Sequence, residues 1–344
     1  MKNYTTFISS NQQQARPGFA EPFKPTFTMQ VLAPFNAEKF SRIFLYLILA
    51  GLCSFWLLSC KQPDKWVDVD PAFSRYVDAY TTGVVSKTSP IRIQLAHAAN
   101  ATHTIGEEVK EPLFSLSPSV KGKTVWIDAS TIEFKPEKNL EPNKLYEVTF
   151  KLGKVTEVAE NKLKELKFSL KTVEPSFAIT DLFLKSTSAK NKMYLTGQLE
   201  TADLEDNKTI EQLVSATQNN KTLPIKWQHN DASKLHLFTV EGIERQTKAG
   251  NVKISWNGQA LASKITGEKD IAVPASGNFK VLNVVAMNDA QQYASVQFSD
   301  PIALGQDLNG LISISNSSDL SYTIDGSEVK VFANGILDGN YTVN

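Results

Sequence analysis

Past residue 60 the chain has no cysteine. Its two thiols are Cys53, inside an apolar run, and Cys60, just beyond that run. The part that folds downstream therefore holds no disulfide, no thiolate metal site and no cysteine nucleophile. An excess of charge of either sign is missing too. Lysine plus arginine and aspartate plus glutamate number 36 each. Residues 1–60 take five of the basic and two of the acidic residues, leaving 31 against 34. No basic stripe remains downstream, which argues against nucleic acid as a partner. The sequence also lacks a phosphate-cradling glycine loop and a Gly-x-Ser-x-Gly elbow. Histidine is scarce: His97, His103, His229 and His236. Neither close pair has a neighbouring cysteine or zinc-type spacing, so all four are expected at the surface or at strand edges. Glu107, Glu108 and Glu111 cluster around Lys110 without the ligand order of a calcium loop, which reads as a solvated loop. The expectation is a chain with no catalytic residue, no metal and no cofactor.

What is present begins with a leader. Residues 1–38 are polar and punctuated by Pro17, Pro22, Pro25 and Pro34. Met29 lies fourteen residues before the apolar run, so a translation start there competes with a long disordered leader. Lys39 and Arg42 then precede residues 43–58, sixteen residues without a charge. A positive flank, a short apolar core and a small residue at the exit form a secretory signal. The run falls short of the ~20 residues that a membrane-spanning helix needs.

Leu57-Leu58-Ser59-Cys60 closes that segment. It resembles the lipobox of bacterial lipoproteins. The resemblance implies acylation of the Cys60 thiol and cleavage just before it, with Leu57, Leu58 and Ser59 as the recognition residues. It also implies a membrane partner held through lipid, each buried acyl CH₂ contributing ~0.8 kcal/mol. Lys61 rather than aspartate follows Cys60. This implies the cell envelope as the location and the outer membrane as the anchor point.

Beyond a tether, residues 61–88, the sequence alternates apolar and polar residues. Residues 91–95, 124–128, 132–134, 145–152 and 166–173 do so, with Pro, Asn and Gly between them. Period-two runs of this length predict antiparallel strands with one buried face, and their spacing predicts a β-sandwich over residues 89–174. Residues 175–276 form a second sandwich, with strands at 177–183, 193–199, 223–227, 235–240, 252–256 and 271–273. One short helix is expected there. Thr209 would cap it, with Gln212 closing a capping box, and Ile210, Leu213 and Val214 on one face. Residues 277–344 form a third unit, with strands at 281–285, 293–298, 311–314, 320–324, 329–332 and 341–343. Trp126, Trp227 and Trp256 fall in strand patterns and are expected to pack in or beside the cores.

The first and third units repeat one another. Ile93-Gln94-Leu95 matches Val296-Gln297-Phe298, and Phe114-Ser115-Leu116-Ser117 matches Ile312-Ser313-Ile314-Ser315. Trp126 to Ser130 matches Thr323 to Ser327, and Ile132 and Phe134 match Val329 and Val331. Tyr146-Glu147-Val148 matches Tyr341-Thr342-Val343. An ordered series with small gaps marks a duplicated topology. In both copies a leucine and a turn precede the tyrosine. This fits a tyrosine corner, and a plain strand aromatic fits as well. The first unit continues past Tyr146 into a further strand, so the third is expected to be an incomplete sandwich at the front of a longer protein.

A lipobox, a tether and successive sandwiches now stand together with Thr88-Ser89-Pro90-Ile91, Phe134-Lys135-Pro136 and Gln297-Phe298-Ser299-Asp300-Pro301. The set resembles the N-terminal region of bacterial alpha-2-macroglobulin lipoproteins. The resemblance implies an all-β row of Ig-like, macroglobulin-like sandwiches behind a signal-peptide helix. It implies scaffold and anchor for a protease inhibitor, with proteases as partners of the full-length protein. No Cys-Gly-Glu-Gln thioester stretch occurs in these residues. The alternative is a surface adhesin or glycan-binding Ig-like lipoprotein, whose tryptophans would face solvent.

Overall fold

A computed structural model describes residues 65–99, 103–189, 191–230, 233–288, 291–335 and 340–344. The chain divides into two compact units, Met1–Asp64 and Lys65–Asn344, and every described residue lies in the second.

The first sandwich begins earlier than the alternation indicates. A 3₁₀ turn, Pro71–Arg75, is capped by Asp70, whose side chain accepts from the Ala72 amide. Two short strands follow, β1 (Val77–Tyr80) and β2 (Gly83–Val85). Residues 71–85 are thus sandwich rather than tether, with Phe73 and Val77 buried in its core. Strands of three and four residues are too short to display a period of two.

The first sheet orders β1, β3 (Ile91–Leu95), β6 (Thr131–Pro136) and β5 (Gly122–Trp126). The second orders β2, β8 (Leu166–Thr172), β7 (Leu145–Phe150) and β4 (Phe114–Ser117). β2 runs parallel to β8 and the other pairs are antiparallel. In β3, Ile91, Ile93 and Leu95 are buried while Arg92 and Gln94 face out. They meet Ile132, Phe150 and Phe168 in one cluster, where apolar burial supplies the driving force.

Tyr146 forms the corner. It is 2% exposed, and its phenol oxygen accepts from the Glu141 amide at 3.0 Å. Thr172 Oγ1 completes the turn, accepting from the Lys144 amide at 2.9 Å and donating to the Glu141 carbonyl at 2.6 Å.

The second sandwich packs β13 (Ile225–His229), β14 (Leu235–Glu244), β10 (Lys192–Thr201) and β9 (Phe177–Ser186) in one sheet. The other holds β12 (Lys221–Thr222), β11 (Val214–Gln218), β15 (Gly250–Asn257) and β16 (Thr266–Val273). The helix α1 (Asn207–Glu211) starts before the expected cap. Asp206 is its N-cap, Thr209 lies inside it and Gln212 ends it. Asp206 holds an extended backbone and its carbonyl accepts from Ile210, so the first turn forms three residues upstream of Thr209. Ile210 and Leu213 are buried as the spacing requires, whereas Val214 opens β11.

The third unit orders β17 (Val281–Asn288), β18 (Gln292–Phe298), β20 (Glu328–Ala333) and β19 (Leu320–Asp325). This is the first sheet's order in the same chain sequence. The registers agree as well. Val296 pairs with Val329 as Ile93 pairs with Ile132. Residues 311–314 and 341–343 contribute an isolated bridge, Ile314 with Val343, where Leu116 pairs with Val148 in the first copy. One match shifts: Ile324, not Thr323, takes the ladder place of Trp126, because the intervening hairpin is one residue shorter. Tyr341 departs from the corner pattern in being 37% exposed.

Candidate functional site

The expected anchor, Leu57, Leu58, Ser59 and Cys60, lies outside the described residues. Within them, the polar chemistry concentrates where one sandwich meets the next.

At the first joint, Ser86 and Lys87 leave β2 and meet residues 202–206, which follow β10. Asp203 is buried. Its Oδ1 accepts from Ser86 Oγ at 2.5 Å and its Oδ2 from the Lys87 amide at 2.8 Å. Lys87 Nζ then reaches Glu205 Oε2 at 2.5 Å, with side chains only 14% and 8% exposed. Such a pair gains little over an apolar contact, yet loss of one partner leaves the other charge stranded. Its effect is to fix geometry.

At the second joint, Arg245 follows β14 with its side chain 0% exposed. Nη1 donates to the Ser299 carbonyl at 3.0 Å and to Asp300 Oδ1 at 2.7 Å. Nη2 donates to the carbonyls of Ala275 at 2.8 Å and Asn278 at 3.1 Å. The planar fork of a guanidinium suits this divergent set of acceptors. Ser186 Oγ donates to the Phe298 carbonyl at 3.0 Å, and Asn283 Nδ2 donates to the Leu184 carbonyl at 3.0 Å. These bonds tie β9 to the third unit.

The sequence-read candidates distribute differently. His97 and His103 are exposed, and His103 stacks on Trp126 with ring centroids 4.0 Å apart. His236 corrects the expectation of a surface histidine: it is 2% exposed. In β14 the inward register is His236, Phe238 and Val240, so Leu235 and Leu237 face outward instead. His229 Nδ1 lies 3.1 Å from His236 Nδ1, and its Nε2 lies 3.3 Å from Glu211 Oε1. Burial first, and then the His229 ring, push the His236 pKa below its usual value. Glu108 pairs with Lys123 at 3.1 Å and Glu111 with Lys154 at 3.0 Å, which makes the acidic cluster a set of surface ion pairs. Among the described residues, no three His, Cys, Asp or Glu side chains converge as metal ligands.

Trp126 is buried. Trp227 and Trp256 are half-buried against the second core. Trp256 lies across Gly267, where a Cβ would come within 2.6 Å of the indole. Reasoning from the sequence missed Asp203 and Arg245, because neither lies in a periodic run or a motif. Asp300, however, stands inside the Ser-Asp-Pro phrase of the third unit.

No curated protein matches the chain. Similar solved structures include L,D-transpeptidase 3 from Mycobacterium tuberculosis with a faropenem-derived adduct, at 10% identity and a TM-score of 0.20. That match covers 45% of this chain, and the chain spans 62% of that structure. Others are an L,D-transpeptidase from Mycobacterium tuberculosis H37Rv, at 9% identity, 65% and 75% coverage and a TM-score of 0.21, and one from Mycobacterium smegmatis, at 10% identity, 69% and 78% coverage and a TM-score of 0.19. Likeness at that level does not reach function. Residues 69–172 match the family model described as bacterial Ig-like domain. With the sheets above, that makes the chain a nearly all-β protein of tandem Ig-like sandwiches whose first module is similar to the bacterial Ig-like domain.

Proposed function

We propose that this chain is a lipid-anchored scaffold: Cys60 carries the lipid, and a row of Ig-like modules holds a fixed course away from the membrane. The observation that carries the anchor is Leu57-Leu58-Ser59-Cys60 at the end of a charged-then-apolar segment. Support for the scaffold comes from the joints. Asp203, with Lys87 and Glu205, and Arg245, with Asp300, place buried polar groups at positions that only a defined orientation satisfies.

The finer reading is the leading part of an alpha-2-macroglobulin-like protease inhibitor on the outer membrane, periplasmic or surface-facing. It rests on the repeat of the first sandwich in the third unit together with the anchor. The placement of Trp126, Trp227 and Trp256 against cores favours the scaffold over a glycan-binding adhesin, which would present aromatic faces to solvent.

Fractionation of host cells tests the anchor. The protein should sediment with membranes, and replacing residues 1–60 with a cleavable secretory signal that leaves no cysteine should release it. A protein so processed that stays with membranes refutes the lipid reading. For the inhibitor, the host's full-length product is challenged with a broad-specificity protease. Co-purification of active protease in a size-shifted complex supports the reading, and complete digestion without a complex overturns it.

A further inference from the structure

His236 sits between the second core and the first joint. It pairs across the sheet with Leu199 of β10 on one side and His229 of β13 on the other. β10 ends at Thr201 and leads directly into residues 202–206, whose Asp203 and Glu205 hold the first sandwich. That segment also walls His236. A small polar cavity of about 170 Å³ is lined by Leu204, Glu205, Asp206, Asn230, Ser233 and His236. Lys234 pins the segment from the hairpin side, its Nζ donating to the Ala202 carbonyl at 2.9 Å.

The neutral pair uses its protons once each. Glu211 accepts from His229 Nε2, so His229 Nδ1 is left as an acceptor. His236 Nδ1 donates to it, which leaves His236 Nε2 a bare acceptor. That atom is buried without a hydrogen-bond partner. One added proton disturbs this arrangement by either route. On His236 Nε2 it creates a buried N–H with no acceptor. On His229 Nδ1 it faces the His236 N–H at 3.1 Å, and His236 can escape only by moving its own proton to Nε2.

We propose that the His229–His236 pair is an acid-operated latch on the joint between the first and second sandwiches: protonation of the pair draws residues 202–206 toward it and frees the first sandwich to swing. The groups that face the pair are Glu211 from α1 and Glu205 and Asp206 from the segment itself. Glu211 is already engaged with His229. The other carboxylates beside the pair are those of the segment, Asp206 and the Lys87-bound Glu205. Asp206 makes no capping bond to its own helix. Any movement of Glu205 toward the histidines takes it off Lys87. The lowered affinity of His236 for protons agrees with a site that resists charging until the joint gives.

Spin-label distances test this on the full chain. No native cysteine lies past residue 60, so Cys53 and Cys60 are replaced by serine and labels go on Lys135→Cys and Lys269→Cys, both exposed. One narrow distance is expected at about pH 7.5, broadening reversibly toward about pH 5, with a midpoint below the ordinary histidine range. His229→Gln and His236→Gln should each keep the distance narrow at both values, with circular dichroism showing that each folds. Three results overturn the latch: a distance unchanged by acid, a broadening that persists in both variants, or a broadening that comes only with loss of sheet signal. The first two place no titration in the pair, and the third makes it a matter of global stability. None of these results bears on the lipid anchor, which is read on a different part of the chain.

Discussion

Replacing Arg245 with methionine should loosen the second joint more than any other single change there. Methionine keeps the apolar stem and removes every donor. The substitution strands the Ser299, Ala275 and Asn278 carbonyls and takes the guanidinium charge away from the Asp300 carboxylate, which keeps the bond from Ser299 Oγ. Removing one partner of a buried charged pair costs about 3–5 kcal/mol. The Asp300 side chain is 24% exposed and can recover some water, so the lower half of that range is expected. Lysine should not rescue: its three donors radiate from one nitrogen and cannot span these acceptors. Urea melts give the stability loss, and a distance measured between labels in the second sandwich and the third unit gives the orientation. A cost below about 1 kcal/mol with an unchanged distance would show that the guanidinium does not hold the joint.

Tyr146→Phe should cost about 0.5–1.5 kcal/mol, since the Glu141 amide loses its acceptor, and chemical melts of the first sandwich will read it. The same phenol sets an alkaline limit. Burial raises its pKa, so the unfolded chain ionises first; the stability contribution is whole below the usual value of 10.0 and falls as pH rises past it. That part of the alkaline loss should vanish in Tyr146→Phe. Gly197→Ala should destabilise the second sandwich by about 1–3 kcal/mol, because a Cβ there lies 2.3 Å from the Phe238 ring and the buried ring has no room to yield; a neutral result by thermal melting would contradict the packing.

The fold was legible where burial repeats along the chain. β3 and β7 alternate inward and outward residues, β8 does so apart from the buried Ser169, and their ranges follow from the sequence within a few residues. β1 and β2 were not legible, because each brings too few residues for a period and earns its place through partners distant in sequence, Ile93 and Leu170. β11 was hidden by its neighbour: Val214 fits a helical face and a strand equally well, and tertiary packing against β15 decides. The repeat was readable because the same ladder demands the same inward residues twice. The joints were not, since Asp203 and Arg245 owe their importance to burial, and nothing in an isolated aspartate or arginine announces burial. His236 misled for the converse reason: it takes an inward place that a leucine on either side could have claimed.

The central claim is a lipid on Cys60 holding the Ig-like row to the envelope. Mass spectrometry of the protein purified from host membranes tests it most directly. The expected product is a mature chain that begins at Cys60, with acyl mass on that residue. An unmodified thiol at Cys60, or a chain that still carries residues 43–59, would contradict it.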